Sequence, residues 1–222
     1  MLNRFREYIR NENLFADDQK VLLAVSGGLD SVVMAHLFDQ SGFKFGVVHC
    51  NFQLRGEESD KDEKLVADMA GEMGVPFYSR RFDTESYARK HKLSVQMTAR
   101  ELRYAYFEEL RNEKSYDFIA SAHHLDDQIE TFFINILRGS GIAGLHGIRA
   151  KTGRIVRPLL FAGRSEIEAY CKRKCWFTAK MPPINQLPIC GTRSGSGCCP
   201  SWKRSIPITA RYSTIILTPS AT

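Results

Sequence analysis

The string Ser26-Gly27-Gly28-Leu29-Asp30-Ser31 follows an apolar run at residues 20–25, and a second apolar run with helical spacing starts directly behind it. This combination constrains the fold strongly. The first run is short and continuously apolar, which suits a buried strand, and the second suits a helix. The two glycines let backbone approach a ligand with no side chain in the way. Successive N–H groups at the helix opening form an anion cradle, and the helix dipole reinforces it. Ser26, Asp30 and Ser31 add polar groups there. Two glycines alone would fit a tight turn equally well. The string lacks the Gly-Lys-Ser/Thr ending of a Walker A loop, and it is not the dinucleotide Gly-x-Gly-x-x-Gly.

Alternation of strand-like and helical stretches continues along the chain. It predicts an α/β fold in three layers, a mostly parallel sheet with helices on both faces. The spacing of Leu2, Phe5, Ile9 and Leu14 predicts an amphipathic helix over 2–18. Strands are predicted at 20–25, 43–49, 76–82 and 116–121. Helices are predicted over 30–40 (closed by Gly42), 57–73, 84–91 (capped by Asp83 or Thr84), 94–112 and onward from Asp127 to Leu137. A short extended segment spans 154–160, and Ser165 is expected to cap a helix over 166–174. His36 reads as a packing or surface histidine.

The strand at 43–49 delivers His49, Cys50 and Asn51 to its C-terminal end, the edge where open parallel sheets bind ligands. Cys50 reads as a packing cysteine rather than a nucleophile. Arg55, in the loop beyond, is equally a solvated residue or a phosphate or RNA contact. Arg100, Arg103 and Phe107 share a helix face by their spacing. The strand at 116–121 ends at the same edge and runs into Ala122-His123-His124-Leu125-Asp126-Asp127-Gln128-Ile129-Glu130-Thr131. Asp127 and Glu130 are three apart near a helix start. Such a pair can hold a hard divalent cation, which suits Mg²⁺ with a triphosphate. Alternatives are zinc at His123 and Asp127, or acids that merely offset a positive helix end. Paired acids, a strand edge and a phosphate loop together favour Mg²⁺–ATP. Arg138 opens a glycine-containing loop that continues through residues 144–148.

The 222 residues allow one α/β domain with a small appendage. No run reaches transmembrane length, and no targeting segment is visible at the start. Five of the six cysteines lie in the last 52 residues, so disulfides do not hold the main domain, which fits a cytoplasmic chain. The net charge of +6 comes from the same region: residues 171–222 carry eight Lys or Arg and no acid. Residues 1–170 hold 23 basic and 25 acidic side chains, so the main domain has no general basic excess of the kind that marks nucleic-acid binders.

Residues 26–31 resemble the phosphate loop of the N-type ATP pyrophosphatases (PP-loop proteins), which form adenylates and release pyrophosphate. Further strings, Ala99 to Tyr104, His123 to Thr131, Arg138 to Leu145 and Arg157-Pro158-Leu159-Leu160, are similar to the tRNA(Ile)-lysidine synthetases. The resemblance covers most of residues 20–175. It implies an adenine-nucleotide alpha-hydrolase-like fold and ATP-dependent ligation of free lysine to C2 of the wobble cytidine of tRNA(Ile). The family's reaction passes through an adenylated tRNA. The resemblance further implies ATP contacts at Ser26 to Ser31, His49 and Arg138, Mg²⁺ at Asp30, Asp127 and Glu130, and Arg103 near the reacting centre. A homodimer is left open. So are two alternatives: another PP-loop tRNA-modifying enzyme such as a thiolase, and an ATP-binding module without catalysis. The loop His49-Cys50-Asn51-Phe52 departs from the family's commoner His-Gly-Leu type.

A catalytic domain is therefore expected over 1–175, followed by an aberrant segment at 176–222. After Trp176 the family continues with an acidic stretch, an Arg-Asn-x-x-Arg string and a Leu-Pro step. Here Pro182-Pro183 and Cys198-Cys199-Pro200 stand instead. A coding run for Glu-Asp-Ala-Thr-Asn, read one base later, gives Lys180-Met181-Pro182-Pro183, so a change of reading frame near Phe177 is the expectation, with reduced activity as its consequence.

Overall fold

The computed structural model describes residues 1–139 and 147–174. Most of the loop expected after Arg138, and the whole aberrant segment from 176, lie outside the described residues. The elements run α1 (Leu2–Asn11), β1 (Lys20–Ala24), α2 (Leu29–Ser41), β2 (Lys44–Asn51), α3 (Glu57–Glu72), β3 (Phe77–Arg81), α4 (Thr84–His91), α5 (Val95–Glu113), β4 (Phe118–Ala120), α6 (Leu125–Leu137), β5 (Lys151–Thr152), β6 (Ile155–Val156) and α7 (Arg164–Lys174). They build a six-stranded sheet in the order β3-β2-β1-β4-β6-β5. All pairings are parallel except β5 with β6.

Strand alternation divides the core in two. Val21 and Leu23 of β1, with Phe45 and Val47 of β2, point to a face covered by α1, α2, α3 and α7. Leu22, Val48 and Ile119 point to the other face, against Tyr106, Phe107 and Leu110 of α5. These are the three layers that the sequence predicts. The larger face is built around aromatic contacts: Phe38 of α2 meets Phe5, Phe15, Phe43 and Phe45 at centroid distances of 5.5–5.8 Å. Such edge and offset contacts add to burial.

Several boundaries agree with the sequence reading. Gly42 closes α2 with φ +73°, its N–H donating to the Asp39 carbonyl. Asp83 caps α4 by accepting from the Ser86 N–H at 3.0 Å. His36 is a packing residue, buried with Nδ1 3.2 Å from the Tyr170 hydroxyl.

Other boundaries need correction. The first helix stops at Asn11 rather than 18. Asn13 turns left-handed (φ +47°), and Leu14 and Phe15 then fold into the core as irregular chain. Periodicity carried on past the break because apolar spacing alone does not register that turn. The extended segment at 154–160 is strand only at Ile155–Val156, the second arm of a small hairpin in which β5 and β6 are joined through Gly153 at φ +57°. Ser165 does not cap α7. That helix begins at Arg164, whose backbone N–H is taken by Asp126 of α6, and the preceding Gly163 N–H is taken by Glu166.

α6 stands apart. Among the described residues it has no buried side chain, and Leu125, Ile129, Phe133, Ile136 and Leu137 leave a stripe of large apolar surface exposed.

Gly46 supplies a test of the packing on the α5 face. A Cβ there would lie 2.0 Å from the hydroxyl oxygen of Tyr116 and 2.8 Å from its Cζ. Tyr116 is buried and cannot swing away freely. Gly46→Ala should lower stability by about 1–3 kcal/mol in urea titration, and adding Tyr116→Phe should recover part of the loss. Unchanged stability of the single variant would show that the ring yields.

Candidate functional site

β1 has β2 on one side and β4 on the other. The connections leaving β1 and β4 therefore run apart at their C-terminal ends, and the crevice between them is where open parallel sheets bind ligands. One wall is Val25 to Gly28 with the start of α2. The other is Ser121 to His124 with the start of α6. β6 lies beside β4, so the chain that leaves it brings the start of α7 to the same crevice.

The first wall is braced from within. Ser31 Oγ donates to the Gly28 carbonyl at 2.8 Å and accepts the Ser26 N–H at 3.2 Å. Its single proton is then used, so Ser26 Oγ, 3.4 Å away, is the donor between the two hydroxyls. Leu29 is buried beneath the turn. Gly27 has φ +86°, and a Cβ on it would sit 3.3 Å from Cβ and Oδ1 of Asp62. Both the turn and the close approach of α3 thus require glycine. The N–H groups of the first turn of α2 have no intrahelical acceptor and stay available to an anion.

Two neighbours secure this wall. His49 is buried, and its Nδ1 lies 2.8 Å from the Val25 carbonyl. A carbonyl only accepts, so Nδ1 carries the proton, and burial holds the ring's pKa below its ordinary value. Arg55 Nη2 donates to Asp62 Oδ2 at 2.6 Å. Burial raises the Asp62 carboxyl, and Arg55 opposes that shift.

The second wall carries the acids. Asp127 Oδ2 accepts the His124 N–H at 3.1 Å. The His124 ring is buried between two carboxylates, with Nε2 3.6 Å from Asp127 Oδ2 and 4.0 Å from Asp30 Oδ2. Asp30 Oδ2 also accepts from Arg164 Nη1. Asp30 Oδ1 is buried and meets no hydrogen-bond donor among the described residues. Burial raises the Asp30 carboxyl above its ordinary range, while Arg164 and His124 pull it down and Asp127 pushes it up. Glu130 lies half-buried on the next turn of α6.

Among the described residues no three His, Cys, Asp or Glu side chains are grouped closely enough to hold a metal ion. Asp30, Asp127 and Glu130 therefore do not form a ready cage. Asp30 and Asp127 still fit Mg²⁺ chemically. They are hard oxygen donors on either side of one crevice, one with an unpaired oxygen, and Mg²⁺ takes only one or two carboxylates when phosphates and water complete its shell.

The cationic candidates are more dispersed. Arg103 is exposed on α5 with its guanidinium 5.2 Å from the Phe52 ring, at the β2 end of the edge. Arg100 lies 5.0 Å from the Tyr104 ring, and its charge reaches His123. Arg138 is exposed at the far end of α6, about 17 Å along the helix axis from Asp127. Cys50 is a packing cysteine: burial pushes its thiol up to about 12, despite Arg103 and Arg80 nearby.

His124, Asp62 and Arg164 belong to the site and were not singled out from sequence. Arg164 left the faintest signal. It opens a helix, where the dipole disfavours a cation.

The sequence profile of the PP-loop domain matches residues 2–178. A tRNA(Ile)-lysidine synthase of Chlorobaculum tepidum is 49% identical over 175 residues, which are 77% of this chain and 53% of that protein. One from Parabacteroides distasonis is 46% identical over 170 residues, 77% of this chain and 39% of that protein. The chain thus spans about half or less of the length of these curated relatives. Among solved structures, an NH3-dependent NAD synthetase from Campylobacter jejuni superposes with TM-score 0.55 at 15% identity, covering 78% of this chain and 72% of that one. An NMN synthetase from Francisella tularensis gives TM-score 0.52 at 14% identity, covering 76% and 70%. Their likeness lies in the fold, which is adenine-nucleotide alpha-hydrolase-like.

The second wall has a pH signature. His123 Nδ1 lies 3.0 Å from Ser121 Oγ, and burial lowers the ring's pKa to about 4. The unfolded chain takes that proton first. The stability that the neutral ring contributes is present above pH ~6.5 and is lost as pH falls toward the folded value. Acidification from pH 7 to 5 should cost on the order of 1–2 kcal/mol from this residue. His123→Asn should flatten the corresponding part of the stability profile in urea titrations. An unchanged slope would assign the acid sensitivity elsewhere.

Proposed function

Because the chain belongs to the PP-loop domain family, we propose that it binds ATP at Ser26 to Ser31 and spends it on joining lysine to C2 of the wobble cytidine of tRNA(Ile), as a carbon-nitrogen ligase of the cytoplasm. The C2 oxygen of cytidine is a poor leaving group. Its attack on the α-phosphorus of ATP expels pyrophosphate and turns it into AMP, a good one. The ε-amine of lysine then attacks C2, AMP leaves, and lysidine results.

The residues divide this work. The opening of α2 and the backbone of Gly27 and Gly28 bind phosphate oxygens, with no side chain between them and the nucleotide. Ser26 and Ser31 hold the turn in shape. His49 ties it to β2. Asp30 and Asp127, with Glu130 one turn on, would hold Mg²⁺, which offsets charge on the transferring phosphorus and the departing pyrophosphate. Arg103 and Arg138 are the candidates for bidentate contacts to phosphate, whether of ATP or of tRNA. A homodimer is compatible with this scheme and is not required by it.

The observation that carries the reading is the meeting of the phosphate loop with Asp30 and Asp127 in one crevice. The thiolase alternative calls for reactive cysteines. Among the described residues, burial pushes Cys50 up to about 12 and Cys171 up to about 11, which leaves neither as a ready nucleophile. The aberrant composition of residues 176–222 bears on tRNA recognition rather than on ATP.

Calorimetric titration with Mg²⁺–ATP should give binding, and Asp30→Ala should weaken it more than it weakens binding of ATP without metal. A folded sample that binds no ATP rejects the proposal. In a full-length parent, Asp127→Ala and Glu130→Ala should each remove most pyrophosphate release with circular dichroism intact. Acids that served only the helix end would leave activity near normal and cost about 0.3–1 kcal/mol of stability each.

Transfer of labelled lysine to tRNA(Ile), with a tRNA of another anticodon as control, should be weak with residues 1–222 and recover when the inferred frame is restored. Efficient, anticodon-specific transfer by residues 1–222 as they stand would overturn the frame inference.

A further inference from the structure

We propose that Arg164 is a positioning residue for the nucleotide's cation: it fixes one oxygen of Asp30 and so presents the other, unpaired oxygen as the protein's ligand to that cation. The inference rests on the ATP–Mg²⁺ reading above.

Arg164 occupies the first position of α7, where the helix dipole repels a cation. Glu166 already supplies the acid that such a helix start favours. What offsets the cost is its set of partners. The backbone N–H of Arg164 donates to Asp126 Oδ2 at 2.6 Å. Its Nε donates to Glu168 Oε1 at 3.1 Å. Its Nη1 donates to Asp30 Oδ2. The side chain is thus held along its length, and the starts of α2, α6 and α7 are tied together through it. Asp126 Oδ2 also lies 3.5 Å from His124 Nδ1, which has no hydrogen-bond partner among the described residues.

The arrangement acts on Asp30 unequally. Oδ2 lies between Arg164 and His124, whereas Oδ1 is buried without a donor among the described residues. A buried carboxylate oxygen in that state costs free energy unless a ligand satisfies it. The guanidinium limits the carboxylate's rotation, since turning it would break the contact at Oδ2. A hard cation arriving with phosphate then meets a fixed, unpartnered oxygen.

Two other roles make different forecasts. A merely structural tie between helices would leave metal dependence alone. A competing cation, which Mg²⁺ must displace, would make metal binding tighter once removed. Calorimetry of ATP with and without Mg²⁺ separates the three, using the intact chain and its Arg164→Met, Arg164→Lys and Glu168→Gln variants. For Arg164→Met, metal-free affinity should stay within about twofold while the gain conferred by Mg²⁺ falls about tenfold, or ~1.4 kcal/mol. Arg164→Lys should recover part of that gain, because it keeps the charge but loses the fork. Glu168→Gln, which loosens the Nε brace and spares the fold should Arg164→Met not be soluble, should lower the gain about threefold, less than a directly bonded charged partner would. A gain that is unchanged or increased in the folded variants overturns the assignment to Arg164 alone. An unsubstituted chain that binds no ATP overturns the underlying reading as well.

Discussion

β1 is buried on both faces and paired on both edges, and that burial dictates where everything else goes. Val21, Leu22 and Leu23 have no exposed surface. β2 and β4 both lie parallel to β1, so no tight turn can join these strands, and each connection has to cross a face of the sheet. The crossings cover the strand. They also bring the ends of β1, β2, β4 and β6 out at one edge, where the phosphate loop, His49, the acids of α6 and the start of α7 meet. The hydrophobic demand of three residues thus places groups that lie more than a hundred positions apart in sequence.

The site that results is tense in its charges. Asp30 is half-buried and feels the charge of Asp127, both of which disfavour its ionisation, while Arg164 and His124 oppose them. Each of these partners is itself placed by a neighbouring acid, Glu168 for the arginine and Asp126 and Asp127 for the histidine. The carboxylates at the three helix starts are thus interleaved with the Arg164 guanidinium and the His124 ring. A loop of glycine and serine would bind an anion by its backbone alone.

The fold was readable because its signals are local. The run at 20–25, the glycine turn and Gly42 each act within a few residues of themselves, and the layers follow from strands that alternate with helices. Asp127 and Glu130 were readable for the same reason, since helix spacing alone puts them on one face. Asn13 was not, because a left-handed asparagine leaves apolar spacing intact on both sides of the break. Arg164 was not either. Its partner Asp30 is 134 residues away, and its own surroundings argue against a cation at that position. Asp62 matters only because glycine at position 27 lets α3 approach, a contact between elements that no local pattern announces. His124, Asp62 and Arg164 act through partners on other elements, and these were the ones that sequence left out.

The bare surface of α6 bears on timing rather than on geometry. A helix that buries none of its described side chains is held chiefly by its own hydrogen bonds and by the ties at its first turn. β-branched and aromatic residues such as Ile129, Phe132, Phe133, Ile134 and Ile136 lend those bonds little intrinsic help. Its amides should exchange with solvent well ahead of those in α2, whose side chains line the core. Asp127 and Glu130 therefore ride on an element whose amides are expected to open ahead of the core, while the phosphate loop opposite them leads into α2, whose side chains line the core.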